Sequence, residues 1–397
     1  MQSFSTRSSI PSTSIPEALQ NARKFPTSGF DIIQSNQMVE EEELPDYEAD
    51  RFYPVRLGEI FENRYQVVTK LGFDLTNNQY VALKIYVHTS LFHREVPVYN
   101  HINQHLHTST HRGRHNIRRL LDSFRVSSQG GTHAVLVSVP AQMSLRDMKL
   151  VFRKDGFDEM FVKGAITELL QAVDFLHTQG KIVHTDIHPG NMLLGTWDDQ
   201  SLKALEDKEL VSPVPRKPVS STRTIYLSRL MHPRVGPMLL SDFGEAWIGS
   251  QLHGGDIMHL EYRAPETLLY ISWSYPVDIW SIGLTAWDLL EPKKLFTARD
   301  EDDDLYDAAH LAQIIAALGP PPPELLKRNP ARTNDFWNND GKWLDLAPIP
   351  DDRTMESLES RLSDKSGFLR FIRRALTWLP EERATAQELL QDPWLAG

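Results

Sequence analysis

The chain has 397 residues, 41% hydrophobic and 24% charged, which describes a globular protein long enough for two lobes or for one domain with a tail. The absence of cysteine excludes disulfides, thiolate metal sites and a cysteine nucleophile. Fifty-three acidic residues against forty-two Lys and Arg leave a net charge of −11, which argues against general nucleic-acid binding and favours a basic partner.

Residues 1–38 read as a disordered tail: short polar residues, scattered prolines and no sustained period. The first thirty lack an apolar h-region, so no secretory signal is expected. An acidic run, Glu40–Glu43, reads as solvated charge. From Tyr53 the composition turns globular. Strands are predicted at Tyr65–Val68, Tyr80–Val87 and Ala134–Val137, with a helix over 91–105. Val162, Ile166, Leu169, Leu170, Val173 and Leu176 keep a helical spacing, which predicts an amphipathic helix over 160–178. Short strands follow at Met192–Leu194 and Met238–Leu240, and the polar stretch 196–236 between them is an insert. Residues 277–290 are apolar nearly all round, which predicts a helix inside a lobe. Gly319 and Pro320–Pro323 form a break, and a final helix carries Glu388-Leu-Leu. No run of eighteen uncharged apolar residues occurs, so no membrane span is expected. Strands first and helices later predict an α+β fold.

Two segments fifty residues apart carry chemistry. His184-Thr-Asp186-Ile-His-Pro-Gly-Asn191 follows the amphipathic helix, and Ser241-Asp242-Phe-Gly244 follows a short strand. Phosphoryl transfer needs a carboxylate to orient the attacking hydroxyl, oxygen ligands for magnesium, and a cation on the phosphates. Asp186 suits the first role and Asn191 with Asp242 the second. Lys84, aimed from a predicted strand, suits the third, and Glu95 on the next helix can pair with it. Each is weak alone, since an Asp before Phe-Gly is often only a turn and a strand Lys is usually solvated. In the order Lys, Glu, Asp…Asn, Asp they form a specific set.

This set resembles the eukaryotic protein kinase family over residues 53–396. Tyr262-Arg-Ala-Pro-Glu266 resembles the segment that closes the family's activation loop, and Asp278-Ile-Trp-Ser-Ile-Gly its buried central helix. The resemblance implies a bilobal fold: an N-lobe at 53–137 with a small antiparallel sheet and one main helix, and a larger, mainly helical C-lobe at 138–396 with the insert at about 196–236. It also implies a buried Glu266–Arg383 pair, ATP and Mg²⁺ as cofactors, and adenine near Ser138, Val139 and Ala141. His-Thr-Asp-Ile, Tyr53-Pro-Val, Asn63-Arg-Tyr and the insert are similar to the SR-protein-specific kinases, Ser/Thr kinases whose substrates are Arg/Ser-rich splicing factors. Asp300-Glu-Asp-Asp-Asp304 falls where those kinases carry an acidic docking groove; a solvated loop is the equal alternative. Thr185 replaces an Arg that would bind an activation-loop phosphate, so activation by phosphorylation there is less expected. A monomer in the cytoplasm or nucleus is expected.

Three departures matter. After Lys70-Leu-Gly72 only Phe73–Tyr80 precede Val81, with Asp74 and Asn77 where the Gly-rich loop would continue. Eight residues are too few for a turn, a strand of about five residues and a second turn. Either the first strand reverses to pair directly with the Lys84 strand, or the lobe is partly unfolded, or the sequence lacks a segment. Gly72 remains the one glycine assigned to the phosphates. Each backbone donor lost at a reacting centre typically costs about 3 kcal/mol, so a catalytically impaired binding module for basic partners is the alternative to an active kinase. His188 stands where the family has a Lys that offsets charge on the transferring phosphate, which predicts activity rising below about pH 6.5. Pro97, two residues after Glu95, should kink or start the helix there. Finally, His101 and His105 could ligate a metal from one helix face, although solvated histidines are the preferred reading.

Overall fold

The computed structural model describes residues 20–90 and 94–396. They fall into two compact units. The first holds the described residues up to Thr89 with Asp122–Pro140 and Asp198–Met231. The second holds those from Ser90 to Leu121, Ala141–Trp197 and the chain from His232. One unit is built on an antiparallel sheet and the other on helices, the α+β division expected.

The sheet has six strands: β1 (Ile60–Phe61), β2 (Tyr65–Val67), β3 (Gly72–Asp74), β4 (Gln79–Ile85), β5 (Leu120–Ser127) and β6 (Thr132–Ser138), in the order β1-β2-β3-β4-β6-β5. Consecutive side chains on a strand point to opposite faces. Val81 accordingly packs with Phe61, Tyr65, Val67 and Val137, while Tyr80 packs with Val68, Phe73, Leu75 and Leu202.

Neither the direct hairpin nor the partly unfolded lobe is found, because a second strand survives between the other two. The turn moves upstream to Val68–Leu71, closed by Val68 N–H donating to the Leu71 carbonyl at 3.0 Å. β3 then needs only three residues and starts at Gly72 itself. It pairs antiparallel with both neighbours, Gly72 lying opposite Val67 and Val81.

The tail expected to be disordered is ordered in its second half; residues 1–19 lie outside the described residues. The Arg23 guanidinium pairs with Glu206 and stands 3.5 Å over the Phe73 ring. Ile32 bridges Arg216, and Lys217 meets Glu42 at 2.7 Å. Glu40 binds Lys70 at 2.6 Å, so the acidic run is not simply solvated. The insert supplies the other half of these contacts. It contains a helix, Gln200–Val211, and a hairpin of Arg216–Pro218 with Thr224–Tyr226. Leu202, with Ala22 and Phe25 of the tail, covers the Phe73–Tyr80 face of the sheet. Composition alone hides this order, because the tail's few apolar residues are spent on one sheet face and its charges on partners about 180 residues away.

In the second unit the helix Glu159–Phe175 buries Val162, Ile166, Leu169, Leu170 and Val173, then widens into a π-helical turn at Leu176–Gly180. It packs on Pro276–Leu290, which is buried nearly all round as its sequence requires. The helices Leu145–Phe152, Asp307–Leu318, Ser366–Ala375 and Ala386–Leu390 are among the others of this unit. The helix Glu95–Thr108, expected with the sheet, groups here instead. His101 Nε2 meets the Gly180 carbonyl at 2.7 Å, and Tyr99 packs edge-on against Phe243. No helix of the described residues is long and apolar enough to cross a membrane.

Candidate functional site

Strand pairing brings the two motif segments together. Met192–Leu194 and Met238–Leu240 form an antiparallel pair with Leu240 opposite Met192. Asn191 enters this pair as Ser241 leaves it, and Ser241 donates to the Asn191 carbonyl from both N–H (2.9 Å) and Oγ (3.0 Å). Asp242 follows at once. A sequence gap of fifty residues thereby becomes the width of a hairpin.

The Asp186 loop is held from below by Asp278. Its fully buried carboxylate accepts the backbone N–H groups of His184 and Thr185, each at 2.8 Å, and meets His177 Nε2 at 2.8 Å. Thr185 is in the left-handed region at φ +66°, a costly conformation for a β-branched residue. The two N–H groups on Asp278 and the Thr185 Oγ1 bond to the Glu245 carbonyl (2.8 Å) hold it there. His184 Nδ1 accepts the Asp186 N–H at 3.2 Å, and its Nε2 donates to the Ser241 carbonyl at 3.1 Å. Asn191 Nδ2 donates to the Asp186 carbonyl and to Oδ2, both at 2.9 Å. The Asp186 carboxylate is thus fixed in orientation.

Burial works to raise the Asp186 carboxyl. The polar contact with His188 and the nearby rings of His188, His184 and His259 outweigh it, and the group is held below the usual carboxylate range. His188 Nε2 lies 3.6 Å from Asp186 Oδ2. Its Nδ1 accepts the Gly190 N–H at 3.0 Å, so the neutral ring carries its proton on Nε2. Gly190 has no alternative side chain: a Cβ there would stand 2.6 Å from His188 Cε1.

Glu95 begins its helix, so Pro97 occupies the first turn, where no N–H partner is needed. The buried Glu95 carboxylate accepts the Phe243 N–H at 3.3 Å, tying this helix to the Asp242 segment. Phe243 is itself buried between Tyr99 and His184. Glu266 and Arg383 form the expected buried pair, two parallel 2.6 Å bonds with both side chains at most 1% exposed.

Asp186, His188, Asn191 and Asp242 are therefore brought together with Glu95 in one unit. Lys84 belongs to the other, on β4 opposite Leu136, with its ammonium 5.0 Å over the Tyr86 ring. Ser138 ends β6 opposite Ala82; Val139 follows in the same unit, and Ala141 begins a stretch of the second. Gly72 differs from expectation. It is a strand residue, and a Cβ on it would stand 2.9 Å from both Val81 and Leu83 side chains, so its smallness serves packing. His101 and His105 meet edge-to-face with ring centroids 4.9 Å apart and belong to no three-donor cluster among the described residues. The cluster found is Asp186, His188 and His259, whose donor atoms all lie within 4.8 Å of one another. Sequence reasoning missed His259, since nothing local distinguishes it. Asp300–Asp304 forms a turn in which Asp300 Oδ1 accepts the N–H groups of Asp302 (3.1 Å) and Asp304 (3.0 Å), leaving Glu301 to Asp304 exposed.

The protein kinase domain matches residues 65–395. A serine/threonine protein kinase of Aspergillus fumigatus is 38% identical over 93% of this chain and 94% of its own length. The serine/threonine-protein kinase SRPK of Physarum polycephalum is 25% identical over 90% of this chain and 92% of its own. The human dual specificity tyrosine-phosphorylation-regulated kinase 3 is 28% identical over 84% of this chain and 54% of its own.

Proposed function

The chain belongs to the protein kinase family and is similar to serine/threonine protein kinases, and from that premise we propose that it transfers the γ-phosphoryl group of Mg-ATP to serine in Arg/Ser-rich proteins of the splicing-factor kind. The observation that carries the reading is the Asp186–Asn191 pair with Asp242 brought alongside by strand pairing. Asp186, ionised and fixed by the Asn191 amide, accepts the hydrogen bond of the substrate hydroxyl and orients it for attack. Asn191 Nδ2 is committed to Asp186, so the donor Asn191 has left for a metal is Oδ1. That amide oxygen and the Asp242 carboxylate are hard oxygen donors of the kind magnesium takes. When bound, the ion neutralises charge on the phosphates. His188 offers an Nε2–H dipole where a Lys would offer a full charge. The Glu95 bond to the Phe243 amide holds the Asp242 segment in place. Lys84 is assigned to the α/β phosphates, and the segment Ser138–Ala141 to adenine.

The net charge of −11 and the exposed acidic turn at 301–304 support a basic substrate, as does similarity to the Physarum kinase. The test is incubation with Mg-ATP and an Arg-Ser-repeat peptide. Transfer that disappears in Asp186→Ala supports the reading; transfer unchanged in that variant overturns it.

A second reading is favoured by the Val68–Leu71 turn, which has no glycine, and by Gly72 serving packing. On it the protein binds basic partners without turnover. Stabilisation by Mg-ATP in a thermal-shift assay argues for the enzyme; peptide binding without such stabilisation argues for the module.

A further inference from the structure

His188 and His259 are 71 positions apart, yet their rings lie 5.7 Å from centroid to centroid, with the Asp186 carboxylate beside them. The backbone that carries each of the three is held in place. Asp186 is bonded twice by Asn191. The His188 ring is seated by the Gly190 amide, and its carbonyl accepts the Asn191 N–H at 3.0 Å. His259 follows Met258, which turns the chain at φ +64°. Arg263 Nε holds that turn through the carbonyls of Ile257 (3.2 Å) and Met258 (3.3 Å). The His259 carbonyl accepts the Tyr262 N–H at 2.9 Å.

Two imidazoles and one carboxylate, partly open to solvent, are the donor set that d-block divalent cations take when coordination positions are left over for water. Ligands about 2.0–2.1 Å from zinc stand roughly 3.3 Å apart. His188 Nε2 and Asp186 Oδ2, at 3.6 Å, already have nearly that separation. His259 is exposed and can close the remaining distance. Magnesium does not compete here, because it takes oxygen ligands and keeps its waters.

We propose that Asp186, His188 and His259 form a binding site for a zinc-class divalent cation, and that the bound ion shuts off transfer by occupying the carboxylate that orients the substrate hydroxyl. The site is distinct from the magnesium ligands Asn191 and Asp242. To ligate through Nε2 the His188 ring must carry its proton on Nδ1, which gives up the bond from Gly190. The site is therefore reversible and responsive to metal concentration, unlike a structural zinc centre. The binding half stands on geometry alone; the inhibitory half rests on the reading of Asp186 given above.

The test is calorimetric titration of the full chain with Zn²⁺ in the absence of nucleotide, with Co²⁺ as a spectroscopic probe. One zinc per chain is expected, and visible d–d absorption with cobalt. Affinity should fall at least tenfold in His259→Ala, a change on the surface, and in His188→Gln. With Mg-ATP and peptide present, zinc should inhibit each protein relative to its own metal-free rate, with half-inhibition at least tenfold higher in His259→Ala. Equal zinc affinity in the parent and both variants overturns the proposal. So does inhibition relieved by raising ATP and unaffected by His259→Ala, which would place the ion at the nucleotide. Zinc binding that depends on both histidines in a protein with no transfer activity would support the site while failing the kinase reading.

Discussion

Asn191 donates one side-chain amide to two acceptors on Asp186, the carbonyl and Oδ2, both at 2.9 Å. The five-residue spacing of Asp and Asn is thereby explained: the loop between them returns so that the second residue locks the first. Asp186→Asn keeps the size and most of the bonding but removes the acceptor for the substrate hydroxyl. Transfer should fall by about 10²- to 10⁴-fold, measured as single-turnover rate, while thermal stability stays close to the parent's. A rate within threefold of the parent's would remove Asp186 from the chemistry.

Gly72 separates a packing role from a phosphate-binding one. A Cβ at this position would stand 2.9 Å from Val81 and Leu83 side chains on β4. Gly72→Ala should destabilise the protein by about 1–3 kcal/mol through overpacking. Mg-ATP affinity, compared at a temperature where both proteins are folded, should change little. Lost ATP affinity with unchanged denaturation midpoint would restore the phosphate-loop assignment.

The parts of this protein legible in its sequence are those whose signal is local. The strands at Met192–Leu194 and Met238–Leu240 are short apolar runs bounded by polar residues, and the helices at 159–175 and 276–290 advertise their buried faces by period. The chemistry-bearing residues were legible because their types and order are restrictive. The tail and insert were not. Their order depends on pairs such as Arg23–Glu206 and Lys217–Glu42, which join segments about 180 residues apart and leave no periodic trace. His259 was invisible for the same reason: its meaning lies in what the Met258 turn brings it beside.

His310, on the helix Asp307–Leu318, links stability to pH. Burial pushes its imidazole down to about 4; Nε2 donates to the Arg263 carbonyl at 3.0 Å, and Nδ1 is buried without a hydrogen-bond partner among the described residues. In the unfolded chain the group titrates near 6.5. Between these values the unfolded state takes a proton that the folded state refuses. Stability therefore falls as pH drops from about 6.5 to 4, by roughly 3 kcal/mol in all, and this contribution levels off below. In His310→Leu that part of the slope should vanish. Parallel stability–pH curves for the two proteins across this window would contradict it.

Glu266 and Arg383 are a bidentate pair shielded from solvent, with Arg383 also bonded to the carbonyls of Pro276 and Thr377. Arg383→Met strands a buried carboxylate and should cost about 3–5 kcal/mol in urea denaturation. Adding Glu266→Met removes the stranded charge, so the double variant should recover part of that loss. A double variant as unstable as the sum of the two singles would mean that the pair is not coupled.

The acidic turn is the remaining place where a basic substrate leaves a measurable mark. Asp300 is committed to the N–H groups of Asp302 and Asp304, and Asp303 lies 3.7 Å from the Arg299 guanidinium. Glu301 and Asp302 are exposed and can be neutralised without undoing the turn. An exposed charge pair is worth up to about 1 kcal/mol, so Glu301→Gln and Asp302→Asn should each raise the KM for an Arg-Ser-repeat peptide by about two- to fivefold. The catalytic rate at saturation should be unaffected, because neither residue has a role in the transfer step. Added salt should raise the parent's KM towards that of the double variant, as screening removes what the substitutions delete. A KM unchanged in the double variant, or insensitive to salt in the parent, would return this turn to the status of solvated charge and leave the net charge without a docking role.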